Sequence, residues 1–167
     1  WSLDLNGNIL KGLLVAIIAG ALFLFIGISG NGNTPDSYTK LWEKKQYSEI
    51  IALGQSSLEK NPLDKNSLVF TGYAYFYQGI NILSVRERTA SIENSVFMLR
   101  KALLQEDRDD APILYMLGKA YYHLGYYYTD LAIKYLEDAR RRGFDARDMD
   151  EYLGLAYGRL GSVRRSS

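Results

Sequence analysis

The side chains able to do proton or group-transfer chemistry are few and scattered. His123 is the only histidine, and there is no cysteine. Without thiols there is no disulfide, thiolate metal site or cysteine nucleophile, and the redox compartment stays undecided. His123 could supply one ligand or one base, but no spacing in the sequence provides its partners. Gly154, Gly158 and Gly161 do not make a phosphate cradle, because no strand precedes them and no Lys-Ser/Thr pair follows. The carboxylates of Asp109-Asp110 and of Asp148, Asp150 and Glu151 stand where helices begin, and the positive end of a helix dipole accounts for them. No nucleophile comes with a base. The expectation is a protein that is not an enzyme and uses no cofactor or metal, with a hydrolase centred on His123 as the rival from the enzyme class.

The elements that must position these residues repeat. Leu117-Gly118 is followed by Tyr121 and Gly125, Thr71-Gly72 by Tyr75 and Gly79, and Leu153-Gly154 by Tyr157 and Gly161, all with identical internal spacing. A small residue and a large aromatic on a helical stride, closed by a later glycine, suit a helix packed tightly on its successor. After two of these helices a small, large, small pattern follows: Ser95, Leu99 and Ala102, then Ala132, Leu136 and Ala139. A weaker early copy runs through Tyr47, Ile50, Ile51, Ser57, Leu58 and Pro62. From the last small residue to the next glycine the steps 57 to 72, 102 to 118 and 139 to 154 are 15, 16 and 15 residues. The unit is a helical hairpin.

This pattern resembles the tetratricopeptide repeat, with its Leu-Gly-x-x-Tyr first helix and small-residue second helix. The Gly-to-Gly spacings, 72 to 118 and 118 to 154, are 46 and 36 residues against about 34 in the family. The family's first-helix Trp is missing. The resemblance implies an all-α helical-hairpin array, an α-solenoid of about three and a half repeats, curved so that its first helices line a concave surface. Carried onto this chain, the groove positions are Val69, Tyr73, Phe76 and Tyr77, then Tyr115, Lys119, Tyr122 and His123, then Glu151, Leu155 and Arg159. Some members hold a chaperone's terminal carboxylate with lysines and asparagines; the corresponding Val69, Tyr73, Lys119 and His123 leave that clamp incomplete.

Ahead of the array, residues 12–28 carry no charged or strongly polar side chain. As a helix this run spans roughly 26 Å, against a bilayer core of about 30 Å. The expected organisation is a flank over residues 1–11, a single membrane anchor over 12–30, a linker over 31–36 and the repeat array over 37–167. A secretory signal peptide is the competing reading of the apolar run. Gly12, Ala16 and Gly20 share one face of the anchor, where small residues let another helix approach in lipid. Lys11 stands on one side of the run and Lys40, Lys44 and Lys45 farther off on the other. Anchored members of the family imply an N-terminus inside and repeats outside a bacterial cytoplasmic membrane, in the periplasm.

Within the array, helices are expected over 64–79 and roughly 92–104, over 111–125 and 128–142, and over 147–161. Residues 80–91 form an insertion, read as extra turns of the first helix and a new start capped by Ser91. Asp109 or Asp110 caps the third hairpin and Gly143 ends it. The near-neutral charge of +1 excludes a strong polyanion-binding field, so no nucleic acid partner is expected. Fourteen tyrosines fit helices packed through amphipathic rings. The functional expectation is a membrane-anchored scaffold or adaptor that binds a protein partner, as peptide or helix, in the aromatic groove. The structural alternative is a homo- or hetero-oligomeric subunit of a large membrane assembly.

Overall fold

The computed structural model describes residues 35–105 and 110–164, which form seven α-helices and one short 3-10 turn. Among the described residues there is no strand. The helices are α1 (Pro35–Glu43), α2 (Tyr47–Lys60), α3 (Lys65–Gly79), α4 (Val85–Leu103), α5 (Ala111–Leu124), α6 (Thr129–Arg141) and α7 (Met149–Arg164). The 3-10 turn, Tyr126–Tyr128, sits between α5 and α6.

Local chemistry sets most boundaries. The Asp64 carboxylate accepts from the Ser67 amide at 2.8 Å and starts α3. Asp110 accepts from the Ile113 amide at 3.3 Å and starts α5, with Pro112 in the first turn where its missing N–H costs nothing. Gly125, at φ 107°, and Gly143, at φ 80°, adopt backbone that L side chains resist, and α5 and α6 end there.

The helices pack consecutively, each on the one before it; α3 also touches α5, and α5 touches α7. A main core runs through Leu68, Phe76, Ile92, Leu99, Ile113, Leu117, Leu136, Met149 and Leu153. A second, around Tyr38, Ile50, Ile51, Phe70 and Ala74, holds α1 and α2. Tyr38 stacks on Phe70 at 4.9 Å and shares a 2.8 Å hydrogen bond with Ser67, so α1 is fixed to α3 as well as to α2.

Two glycines occupy equivalent close seats in successive helix pairs. A Cβ on Gly72 would lie 2.8 Å from the Leu99 side chain of α4, and one on Gly118 would lie 2.5 Å from Leu136 of α6. The same residue type therefore seats the same partner in both hairpins. At Gly154 of α7 a Cβ would meet nothing within 4 Å.

The insertion is not organised as expected. α4 starts at Val85 rather than near residue 92, and its cap is Ser84, whose hydroxyl accepts from the Glu87 amide at 3.5 Å. Ser84 and Glu87 have the Ser-x-x-Glu spacing of a capping box. Ser91 is buried within the helix and donates to the Tyr75 carbonyl at 2.8 Å, tying α4 to α3. Only residues 80–84 remain as a turn. Pro35 and Asp36, expected in the linker, begin α1, and α7 starts at Met149 and runs to Arg164.

The expected anchor over 12–30, with Gly12, Ala16 and Gly20, and the flank over 1–11 lie outside the described residues. No helix of the described residues is long and apolar enough to cross a membrane.

Candidate aromatic interaction surface

The first helices of the hairpins bring a continuous series of rings together. Trp42 meets Tyr47 at 5.6 Å and Tyr77 at 5.4 Å, and Tyr47 stacks on Tyr77 at 5.8 Å. Tyr77 meets Phe76 edge-on at 5.3 Å, and Phe76 meets His123 at 5.5 Å. Tyr122 and His123 each meet Tyr152, at 5.4 and 5.8 Å. The ladder crosses from α1 and α2 through α3 and α5 to α7. Edge-to-face contacts of this kind add about 0.5–1.5 kcal/mol per pair beyond area burial.

At the base of the ladder stands Lys119. Its ammonium donates to Asp148 Oδ2 at 2.8 Å and to Tyr115 Oη at 3.1 Å. It also lies over the rings of Tyr152, Tyr115 and Phe76, at 4.7, 5.1 and 5.6 Å. Tyr115 donates to the other Asp148 oxygen. A buried cation needs this dense a set of partners, because an unpaired ammonium in the core is prohibitively costly. Lys119 was expected to reach into a groove for a ligand, yet its side chain is only 7% exposed and its donors are engaged internally. It joins α5 to α7.

Ionisation follows this geometry. Burial raises the Asp148 carboxyl, but hydrogen bonds from Lys119 and Tyr115 outweigh it and hold the group below the ordinary carboxylate range. Burial, then the Asp148 hydrogen bond, pushes the Tyr115 phenol far up, and Tyr152 rises through burial and the Asp148 charge. Burial and the same charge push Tyr77 up to about 12. All three stay protonated as donors near neutrality. His123 is open to solvent along its outer edge but desolvated where it meets Phe76 and Tyr152. That desolvation, then the charges of Lys119, Arg159 and Arg88, lowers it to about 4, so at neutral pH an uncharged imidazole shares a 3.0 Å hydrogen bond with Tyr152.

No family model matches the chain, and no curated protein does.

Of the expected groove positions, Phe76, Tyr77, Tyr115, Lys119, Tyr122, His123 and Arg159 are brought together. Arg159 lies 3.9 Å over the Tyr122 ring and donates to the Tyr122 carbonyl at 2.9 Å. Tyr73 is buried beside Trp42, with ring centroids 6.2 Å apart. Val69 packs half-buried on the main core. Glu151 and Leu155 do not join it, and Leu155 is 48% exposed.

Sequence reasoning missed Asp148, Tyr152, Trp42 and Tyr47. The repeat register placed Glu151 and Leu155 on the inner side of α7, but the helix is turned so that Tyr152 points inward instead. Asp148 was assigned only to the helix dipole, although a carboxylate 29 residues from an inward lysine was the available signal. Among the described residues no group of three His, Cys, Asp or Glu side chains could hold a metal ion. What the arrangement offers is recognition: half-exposed rings at Tyr77, Tyr122 and Tyr152, an imidazole edge at His123 and an arginine clamped on Tyr122.

Proposed function

We propose that the chain is a membrane-anchored adaptor of the tetratricopeptide type, whose first helices hold a protein partner along the ring ladder. The observation that carries the hairpin-repeat reading is the equivalence of Gly72 against Leu99 and Gly118 against Leu136, the same close seat in successive hairpins. What supports binding is the run of half-exposed rings from Tyr77 through Tyr122 and His123 to Tyr152 on the shared side of α3, α5 and α7. Amphipathic aromatics held rigidly by one another lose little entropy when a peptide or helix settles on them. Lys119 and Asp148 hold α5 and α7 at the spacing that the surface needs, and the partner meets the outer edges of Tyr122, His123 and Tyr152. The apolar run over 12–30 supplies the anchor.

Affinity purification of the full chain from native membranes, followed by mass spectrometry, tests this reading. Tyr122→Ala with His123→Ala is expected to remove the specific partner while helical circular dichroism is unchanged. Co-purification of every protein at the wild-type level would defeat it.

A structural subunit of a larger assembly is the second reading, and the open side of α7 favours it. A Cβ at Gly154 or Gly158 would meet nothing within 4 Å, and Leu155 and Tyr157 beside them are exposed. A monomer in detergent whose native complexes are unaffected by Gly154→Ile would end that reading.

A further inference from the structure

The turns that join the first helix of each hairpin to its second share one rim of the molecule. Tyr47 stacks on Tyr77, and Gln78 donates to Ser48 Oγ at 2.9 Å, which sets the turn at residues 44–46 beside the turn at 80–84. Phe76 against His123 sets the end of α3 beside the end of α5, and so brings in the third turn, Tyr126–Tyr128. The tips of this rim are apolar or amphipathic. Leu83 is 95% exposed and Tyr127 94%, with Val85, Tyr126 and Tyr128 exposed beside them.

These tips do not line a groove. They project singly from adjacent turns, a shape that suits a deformable surface better than a complementary protein pocket. The charges around them balance, with Lys44, Lys45, Arg86 and Arg88 against Glu43, Glu49, Glu87 and Asp130. Tyrosine rings at headgroup depth, with leucine and valine below them and lysine and arginine stems reaching outward, form an interfacial anchor that needs no anionic lipid.

The chain's own covalent reach allows the contact. α1 begins at the opposite rim and its nine residues rise about 14 Å to the turn at 44–46. The four residues 31–34 between the anchor and α1 span at most about 14 Å, which matches that height. A tether this short also keeps the local concentration of bilayer high, so weak insertion suffices. We propose that this rim, with Leu83 and Tyr127 as its deepest side chains, docks on the lipid–water interface and lays the domain against the bilayer to which residues 12–30 tether it. The inference rests on the anchored reading of that segment and adds an orientation to it.

The absence of native cysteine makes an introduced thiol unique. Leu83→Cys, Val85→Cys and Tyr127→Cys, each in the full chain in phosphatidylcholine vesicles, are spin-labelled and compared with Leu63→Cys, an exposed position on the opposite rim. Labels at 83, 85 and 127 should collide with an aqueous nickel chelate several-fold less often than the label at 63, and with oxygen more often. Equal collision rates in chains that float with the vesicles would overturn the rim contact and leave the anchor standing. Chains that fail to float would overturn both together. Protection that appears only when membrane proteins are added would overturn the lipid contact in favour of a protein one.

Discussion

Lys119 Nζ lies 2.8 Å from Asp148 Oδ2 across the α5–α7 boundary, and the two ends of this ion pair differ in burial: the lysine side chain is 7% exposed and the aspartate 34%. Removing either leaves the other with only Tyr115 as a side-chain partner, and the cost depends on which charge is stranded. Asp148→Ala abandons an ammonium among three rings and is expected to lower stability by about 3 kcal/mol. Lys119→Met leaves a carboxylate that water can still reach, and about 1–2 kcal/mol is expected. Urea unfolding of the two variants gives the ranking; a reversed order would mean that Asp148 is the more deeply dependent partner.

The glycine seats predict opposite effects for one substitution. Gly118→Ala drives a methyl group into Leu136 and is expected to cost about 1–3 kcal/mol. Gly154→Ala meets nothing within 4 Å and should stabilise the isolated chain by up to about 1 kcal/mol through helix propensity. Thermal melts of both variants decide it. A comparable loss at Gly154 would show that α7 is already covered on that side.

His123 predicts acid sensitivity. Its folded value, about 4, lies below the ordinary 6.5, so between these pH values the unfolded chain binds a proton that the folded chain does not. Stability is therefore level above pH 6.5 and falls as pH drops towards 4. Other carboxyls titrate at the lower end, so the diagnostic is the difference between wild type and His123→Gln. The substitution should flatten the melting temperature between pH 6.5 and 5, and parallel curves would remove the histidine from the explanation.

Ser84 and Ser91 predict different kinds of damage. Ser84→Ala removes the cap of α4 and should cost about 0.5–1 kcal/mol, read as faster amide exchange confined to residues 85–88. Ser91→Ala breaks the tie to the Tyr75 carbonyl in the packed seam and should lower global stability by about 1 kcal/mol. Exchange that spreads through the whole of α4 in the Ser84 variant would show that the cap governs more than its own turn.

What could be read from the sequence alone was whatever depends on neighbours within about one helical turn. Asp64 and Asp110 announce helix starts, Gly125 and Gly143 announce ends, and the recurring Gly-x-x-Tyr stride locates α3, α5 and α7 because each answers to local backbone and side-chain geometry. The cap at Ser84 was legible in the same way, through Glu87 three residues on, and was displaced by giving Ser91 that part. The tertiary structure alone decided which way each helix face is turned. The inward turn of Tyr152, the exposure of Leu155 and the burial of Lys119 over three rings follow from packing between residues some 30 to 40 positions apart, where a rotation of one residue, about 100°, exchanges inside for outside. Periodicity says that a helix has an inner face; only its neighbours determine which side chains occupy it.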